Sequence, residues 1–268
     1  MGGMLSNKTP WDLVAPGYAE ITMKLFHAYT LAALEFVGID KRHDIVDIAC
    51  GPGTLALAAS PLANTIHALD FSAPMLDILD RTIEEQGINN IMTHYGDGQQ
   101  LPYGDDSFDA AFSMFGLMFF PDRAKGYAEV LRVLKPGSKA VISSWAPLSH
   151  SPAMHAVFGA LRAIKPDMPE PQEEVESLEN PDFFGDEMRR AGFKNVDVKP
   201  VVGEVKINSL ETYWDDMVKG SAPLVMLKQS MTDEQWQAST QIALTYLRET
   251  VASKSSLTAK AWLAVGTK

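Results

Sequence analysis

The sequence predicts an α/β protein: a doubly wound, seven-stranded, mostly parallel sheet with helices on both faces and a helical cover in the later part of the chain. Three observations predict it. From Asp44 to Trp145, short apolar runs alternate with helix-period segments, a rhythm that requires right-handed crossovers between parallel strands. The early runs, IVDIA and TIHALD, are nearly continuous rather than alternating, as strands buried on both faces must be. Beyond Trp145 the rhythm stops, and residues 208 to 256 read largely as helix.

The elements follow in order. Pro16 to Val37 places Ile21, Leu25, Tyr29, Ala32 and Phe36 at helical spacing, an amphipathic leading helix expected to pack over the domain behind it. IVDIA is the first strand, and TLALAAS the helix after it. TIHALD is the second, followed by APMLDILDRTIEEQ, which Ser72 is expected to cap and Gly87 to close. IMTHY and FDAAFSMF are the third and fourth. The helix over 123 to 134 carries Ala124, Tyr127, Val130, Leu131 and Leu134 on one stripe and stops at Lys135, Pro136 and Gly137. KAVISSW is the fifth strand. The segment PDMPEPQEEVESLENP (166 to 181), with four prolines and six acids, reads as a surface excursion. DFFGDEMRRAG then leads into FKNVDV, Thr232 and Gln235 form a capping box for TDEQWQASTQIALTYL, and TAKAWLAVGTK closes the sheet.

Composition narrows the function classes. At 268 residues and 46% hydrophobic, the chain can bury one large core with a modest appended part. Its net charge of −11 opposes broad contact with phosphate backbones, so nucleic acid is not an expected partner. A single cysteine, Cys50, excludes both an internal disulfide framework and a cysteine-cluster metal site. MGGMLSNKTP lacks the basic and apolar regions of a secretory signal, and the stretch AAFSMFGLMFF is too short to span a bilayer, so a cytoplasmic location is expected. An oligomer is possible, and no metal is expected.

Chemistry concentrates where strands end. Asp47 lies inside the first strand, where an unpaired carboxylate is costly unless it is hydrogen-bonded or faces a polar ligand. Gly51 and Gly53 follow at once and permit close approach of the backbone to a ligand at the start of the next helix. Asp70 ends the second strand, where an acid can accept from the vicinal hydroxyls of a ribose. Asp97, just after the third strand, can accept from an exocyclic adenine amine, with the Gly98 backbone as a donor beside it. Each acid alone is an ordinary turn or strand-end residue. Together they would line one edge of the sheet.

Through VDIACGPG, ALDFSAPML, GDGQQLPYGDDSFD and EVLRVLKPGSKAVI, residues 10 to 145 resemble the class I S-adenosylmethionine-dependent methyltransferases, within them the group of ubiquinone and menaquinone biosynthesis methyltransferases. The resemblance implies a Rossmann-like fold, S-adenosylmethionine as cofactor, and methyl transfer to a small-molecule substrate at an unresolved carbon, oxygen or nitrogen centre. It implies that Asp47, Ala49, Gly51 and Gly53 hold the methionine part, that Asp70 takes the ribose, and that Phe71 and Met75 pack near the adenine. Asp97, Gly98 and Gln99 would meet the adenine edge, and Ser113 would lie beside the sulfonium. Ala49 stands where the family has its first loop glycine, and Ser138 stands in place of a turn glycine. The implied organisation is cap helices over 1 to 40, a cofactor core over 41 to 145, substrate-cover insertions around the sixth strand over 146 to 256, and a closing strand over 257 to 268.

Displacement at a carbon activated by positive sulfur asks mainly for alignment, and a base only where the acceptor must lose a proton. His150 and His155, following the fifth strand, are the base candidates, whereas His67 and His94 read as packed strand residues. Tyr18 is expected to face the site from the leading segment, with Trp11 nearby. Met114, Phe115 and Met118 read either as an acceptor pocket or as the apolar run of a central strand. Two alternatives remain at this level: an NAD(P)-dependent oxidoreductase, since GPGTLA also fits a dinucleotide fingerprint, and a non-catalytic S-adenosylmethionine-binding subunit.

Overall fold

The computed structural model describes residues 5 to 168, 176 to 251 and 253 to 268, so part of the proline-rich excursion, 169 to 175, lies outside the described residues. Its strands are β1 (Asp44–Ile48), β2 (Thr65–Asp70), β3 (Ile91–Tyr95), β4 (Phe108–Ser113), β5 (Leu134–Trp145), β6 (Lys194–Lys206) and β7 (Ser256–Thr267). They form one sheet in the order β3-β2-β1-β4-β5-β7-β6. The first five are parallel, and β7 runs antiparallel between β5 and β6. The chain order reverses at β1, so β1 and β4 part to opposite sides and leave a crevice at their C-terminal ends.

The helices are α1 (Thr9–Gly17), α2 (Met23–Val37), α3 (Thr54–Ala59), α4 (Ala73–Gln86), α5 (Arg123–Val133), α6 (Pro152–Ile164), α7 (Pro181–Arg190), α8 (Leu210–Gly220), α9 (Ala222–Gln229) and α10 (Asp233–Val251). Pleating sends Ile45 and Ile66 to one face with Tyr29, Leu55 and Leu79, and Val46 and Ile48 to the other with Tyr127, Val130, Phe184 and Met188. A third cluster, built on Trp214, Leu244 and Leu247, joins α6, α8, α9 and α10 beside the sheet. None of the helices among the described residues is long and apolar enough to cross a membrane.

Three local expectations change. The leading helix is two helices, because a π turn over Tyr18–Thr22 separates α1 from α2. Its wider winding rotates the buried stripe of α2 to Phe26, Tyr29, Thr30, Ala33 and Leu34, leaving Leu25, Ala32 and Phe36 at the margin. Pro136 and Gly137 interrupt β5 rather than precede it: Leu134 already pairs with Phe108, and pairing resumes at Lys139 opposite Ala110. Ser72 makes no side-chain cap for α4, since its hydroxyl is committed to Asp12 of α1. The Thr232 and Gln235 capping box is present, each side chain accepting from the other's backbone amide at 3.3 and 2.9 Å.

Candidate functional site

The loop after β1 turns through three residues with left-handed backbone, Ala49, Gly51 and Gly53, the last of them the N-cap of α3. A Cβ at Gly51 would meet nothing nearer than Tyr18 at 4.0 Å, so the open space lies in front of its backbone. Gly53 has a second reason to be glycine: a Cβ would collide with Leu79 of α4, so this residue also permits close helix packing. In front of the loop, at the ends of the first four strands, lies a cavity of about 240 Å³. Its lining includes Ala49, Gly51, Asp70, Phe71, Met75, Asp97, Gly98 and Gln99. Trp11, Tyr18, Met114, Phe115, Phe119 and Phe120 add an apolar, aromatic share, with Phe120 packed directly on Gly98.

Asp70 is buried at the end of β2, and its two oxygens accept from the Gly51 amide and the Ser72 amide, both at 2.8 Å. Burial pushes its pKa up to about 6 against the pull of those amides. Asp97 is more open, held by the Gln99 amide at 2.9 Å and the Gln99 side-chain amide at 3.0 Å. Asp47 borders a small adjoining space of about 30 Å³ that shares Tyr18, Ala49, Gly51 and Met114 with the main cavity. It is 1% exposed, and among the described residues its Oδ2 has no hydrogen-bond partner. Burial raises its pKa to about 7, the Ala56 amide lowers it, and Asp70 raises it again. An isolated buried carboxylate of this kind is costly in a finished core and inexpensive where a cation can reach it.

Tyr18 stands over the junction of the two spaces, edge-on to Trp11 at 6.2 Å and to Phe26 at 5.9 Å. Burial, and then the nearby Asp70, raise its hydroxyl pKa far enough to keep it protonated, which makes it a donor rather than a base. Phe115 carries a positive φ of 59°, donates its amide to Ser143 Oγ at 2.8 Å and stacks on Trp145 at 4.3 Å. Cys50 is a buried filler whose thiol pKa is raised by burial.

Several sequence-level expectations land elsewhere. Ser113 is fully buried and does not border the cavity; its hydroxyl accepts from the Leu117 amide at 3.1 Å, anchoring the turn that follows β4. His150 and His155 are absent from the cavity wall. Pro152 starts α6 at the end of β5, and that helix carries His155 to a separate depression with Phe158, Arg162 and Tyr246. Met118 packs into the core, while Met114 and Phe115 do face the cavity. His67 and His94 lie on adjacent strands with ring nitrogens 3.1 Å apart. Phe119 and Phe120 were legible only as apolar sequence, because β4 ends at Ser113 and the rest of that run folds as a rim turn.

A family model described as a methyltransferase domain matches residues 45–137. A demethylmenaquinone methyltransferase of Alkalihalophilus pseudofirmus is 30% identical over 174 residues, covering 60% of this chain and 74% of that protein. One from Anoxybacillus flavithermus is 28% identical over 194 residues, covering 67% and 82%. Among solved structures, the YcgJ protein of Bacillus subtilis superposes with a TM-score of 0.61 at 20% identity, covering 90% of this chain and 98% of that one. A Haemonchus contortus phosphoethanolamine N-methyltransferase in complex with S-adenosyl-L-methionine gives 0.53 at 17%, covering 90% and 52%. At such identities the structural likeness speaks to the fold.

Proposed function

This chain belongs to the class I S-adenosylmethionine-dependent methyltransferases, and from that premise we propose that it methylates an uncharged, apolar small molecule in a single in-line displacement at the rim described above. The nicotinamide and non-catalytic alternatives fall away with the family. S-adenosylmethionine is the cofactor and supplies a methyl group on positively charged sulfur. The chain's own groups fit it. Asp47 offers an unpartnered carboxylate oxygen to the ammonium of the methionine part, and the open face of Gly51 leaves room for that part to lie against the backbone. Asp70 spends one amide contact on each oxygen, which leaves further lone pairs for the two ribose hydroxyls. Asp97 and Gly98 meet the adenine edge, with Phe71 and Met75 beside the ring. In this scheme residues 41 to 145 hold the cofactor and carry Met114, Phe115, Phe119 and Phe120, 1 to 40 bring Trp11 and Tyr18 to the cavity, 257 to 268 close the sheet, and 146 to 256, expected as the substrate cover, contribute none of the described lining residues.

The composition of the cavity lining carries the reading of the acceptor. Beside Asp70 and Asp97 it holds Trp11, Tyr18, Met114, Phe115, Phe119 and Phe120, and no Lys, Arg or His is among the described lining residues. Such a wall favours a neutral ring and offers nothing to a phosphate. The demethylmenaquinone methyltransferases among the relatives make a quinol-type ring the first acceptor to try. Tyr18 can donate to an acceptor oxygen, while the wall orients the ring and excludes water. Transfer of labelled methyl from S-adenosylmethionine to a panel of lipophilic quinols and phenols, with phosphoethanolamine and oligonucleotides as charged comparators, tests this. Labelling confined to the charged compounds would refute it.

A further inference from the structure

Ser72 stands at an N-cap position, where its hydroxyl would ordinarily serve its own helix. Instead it donates at 2.7 Å to Oδ1 of Asp12, sixty residues earlier on α1. The same residue gives its backbone amide to Asp70 Oδ1 at 2.8 Å, and it is wholly buried. One residue thus joins a carboxylate of the covering helix to the acid at the centre of the rim. Among the described residues Asp12 also pairs with the exposed Lys8, at 3.9 Å, too long to fix its position.

The remaining attachments of α1 near the rim are apolar. Trp11 packs on Phe119 with ring centroids 5.1 Å apart, and Val14 and Ala15 meet Met75 and Ala222. The C-terminal part of α1 contains Pro16 and passes directly into the π turn at Tyr18, so regular helical bonding is broken where a pivot would be needed. Gly17 packs against the Lys219 backbone at that same point, close enough that no Cβ would fit. The helix is therefore held at its pivot by close packing, along its length by apolar contacts, and to the acid of the rim by one charge-assisted hydrogen bond.

We propose that Asp12 and Ser72 are a positioning pair: the Ser72 hydroxyl bonded to Asp12 holds α1 closed over bound cofactor and, through the Ser72 amide, keeps Asp70 aimed at the ribose. This rests on the assignment of Asp70 to the ribose made above. The pair governs release of cofactor more than capture, because the bond forms only once α1 is down.

Stopped-flow fluorescence, with Trp11 on the moving helix, measures binding and release of S-adenosylhomocysteine by the full chain. Ser72→Ala and Asp12→Ala are each expected to speed release about tenfold with association changed less than about threefold, in the range for loss of a hydrogen bond to a charged group. The double variant should release no faster than either single one. Asp12→Asn keeps an acceptor oxygen and should stay within about threefold of the parent, a rescue that general loosening of α1 would not give. Unchanged release in Asp12→Ala, multiplicative losses in the double variant, or Asp12→Asn behaving as Asp12→Ala would overturn the proposal. Asp47→Asn and Asp70→Ala separate the two levels. If both bind product normally, the cofactor assignment itself is wrong; if both fail while the latch variants release at the parental rate, only the latch is wrong.

Discussion

Replacing Asp47 by asparagine isolates the cost of holding an unpartnered carboxylate at the foot of the crevice. Burial raises this group from 3.8 to about 7. A carboxyl whose folded pKa exceeds its unfolded value is a stabilising contribution at low pH, fully present below the unfolded pKa and lost as pH rises through the folded one. A shift of about three units corresponds to roughly 4 kcal/mol over the whole window, of which roughly 3 kcal/mol falls between pH 5 and pH 8. The amide introduced by Asp47→Asn does not titrate, so the stability difference between variant and parent should move in the variant's favour by up to that amount from pH 5 to pH 8. Asp70, at about 6, contributes with the same sign in both proteins, so only its charge coupling to Asp47 enters the difference. Urea unfolding of cofactor-free protein at the two pH values reads the difference directly. Binding of S-adenosylhomocysteine should show the complement: parental affinity falls as much as tenfold per unit below pH 7, because the carboxyl must ionise to meet an ammonium, and the variant binds weakly at all pH. A stability difference independent of pH, or full affinity in Asp47→Asn, would refute the reasoning.

Three other outcomes follow from the geometry. Gly116→Ala places a Cβ against that of Ala49, so it should cost about 2 kcal/mol in urea unfolding, and Ala49→Gly, which also relieves a φ of 56°, should restore most of it. His67 and His94 are both lowered, His67 by burial and then by His94, and His94 by burial. Neutral in the fold, they lose stability as pH falls below about 6.5; the deficit of His94→Phe measured at pH 8 should therefore shrink toward pH 5. Tyr18→Phe should lower kcat without moving the pH dependence of kcat/KM, because burial keeps the hydroxyl protonated and its removal deletes a donor, not a base; a lost alkaline or acidic limb would contradict this.

The sheet was legible because its strands must be apolar on both faces while the crossovers keep a helical period, and both patterns survive in single residues such as Ile45 and Val46. Asp47 and Asp70 were legible for the opposite reason, as acids where burial is costly without a partner, whereas the exposed Asp97 was legible only by its place after the third strand. What escaped was set by contacts remote in sequence. Ser72 looks like a cap until Asp12 arrives across the fold. Gly53 looks like a ligand-facing glycine until Leu79 is packed against it. The two histidines that follow the fifth strand are close to the site only along the chain: His150 ends a short turn over Leu148–His150, and the helix that begins at Pro152 carries His155 away. Phe119 and Phe120 carried no periodic signal, since a rim turn has no period.

The rim is also where the backbone is strained, and the strain has a structural reason. Among the described residues, four that are not glycine have positive φ, and two of them, Ala49 and Phe115, line the cavity. Each costs of order 1 to 3 kcal/mol unless its surroundings hold it. Phe115 is held by the Ser143 hydroxyl, by the Trp145 ring stacked at 4.3 Å and by the Phe26 ring tilted against it at 4.5 Å. The loop of Ala49 is held by the Cys50 amide bonded to Leu69 and the Gly51 amide bonded to Asp70. Gly116, the residue after Phe115, has no side chain because Ala49 occupies the space one would need. The loop after β1 and the turn after β4 therefore fix each other's position. For a displacement whose rate depends on alignment, that mutual fit is a better use of strain than any added acid or base.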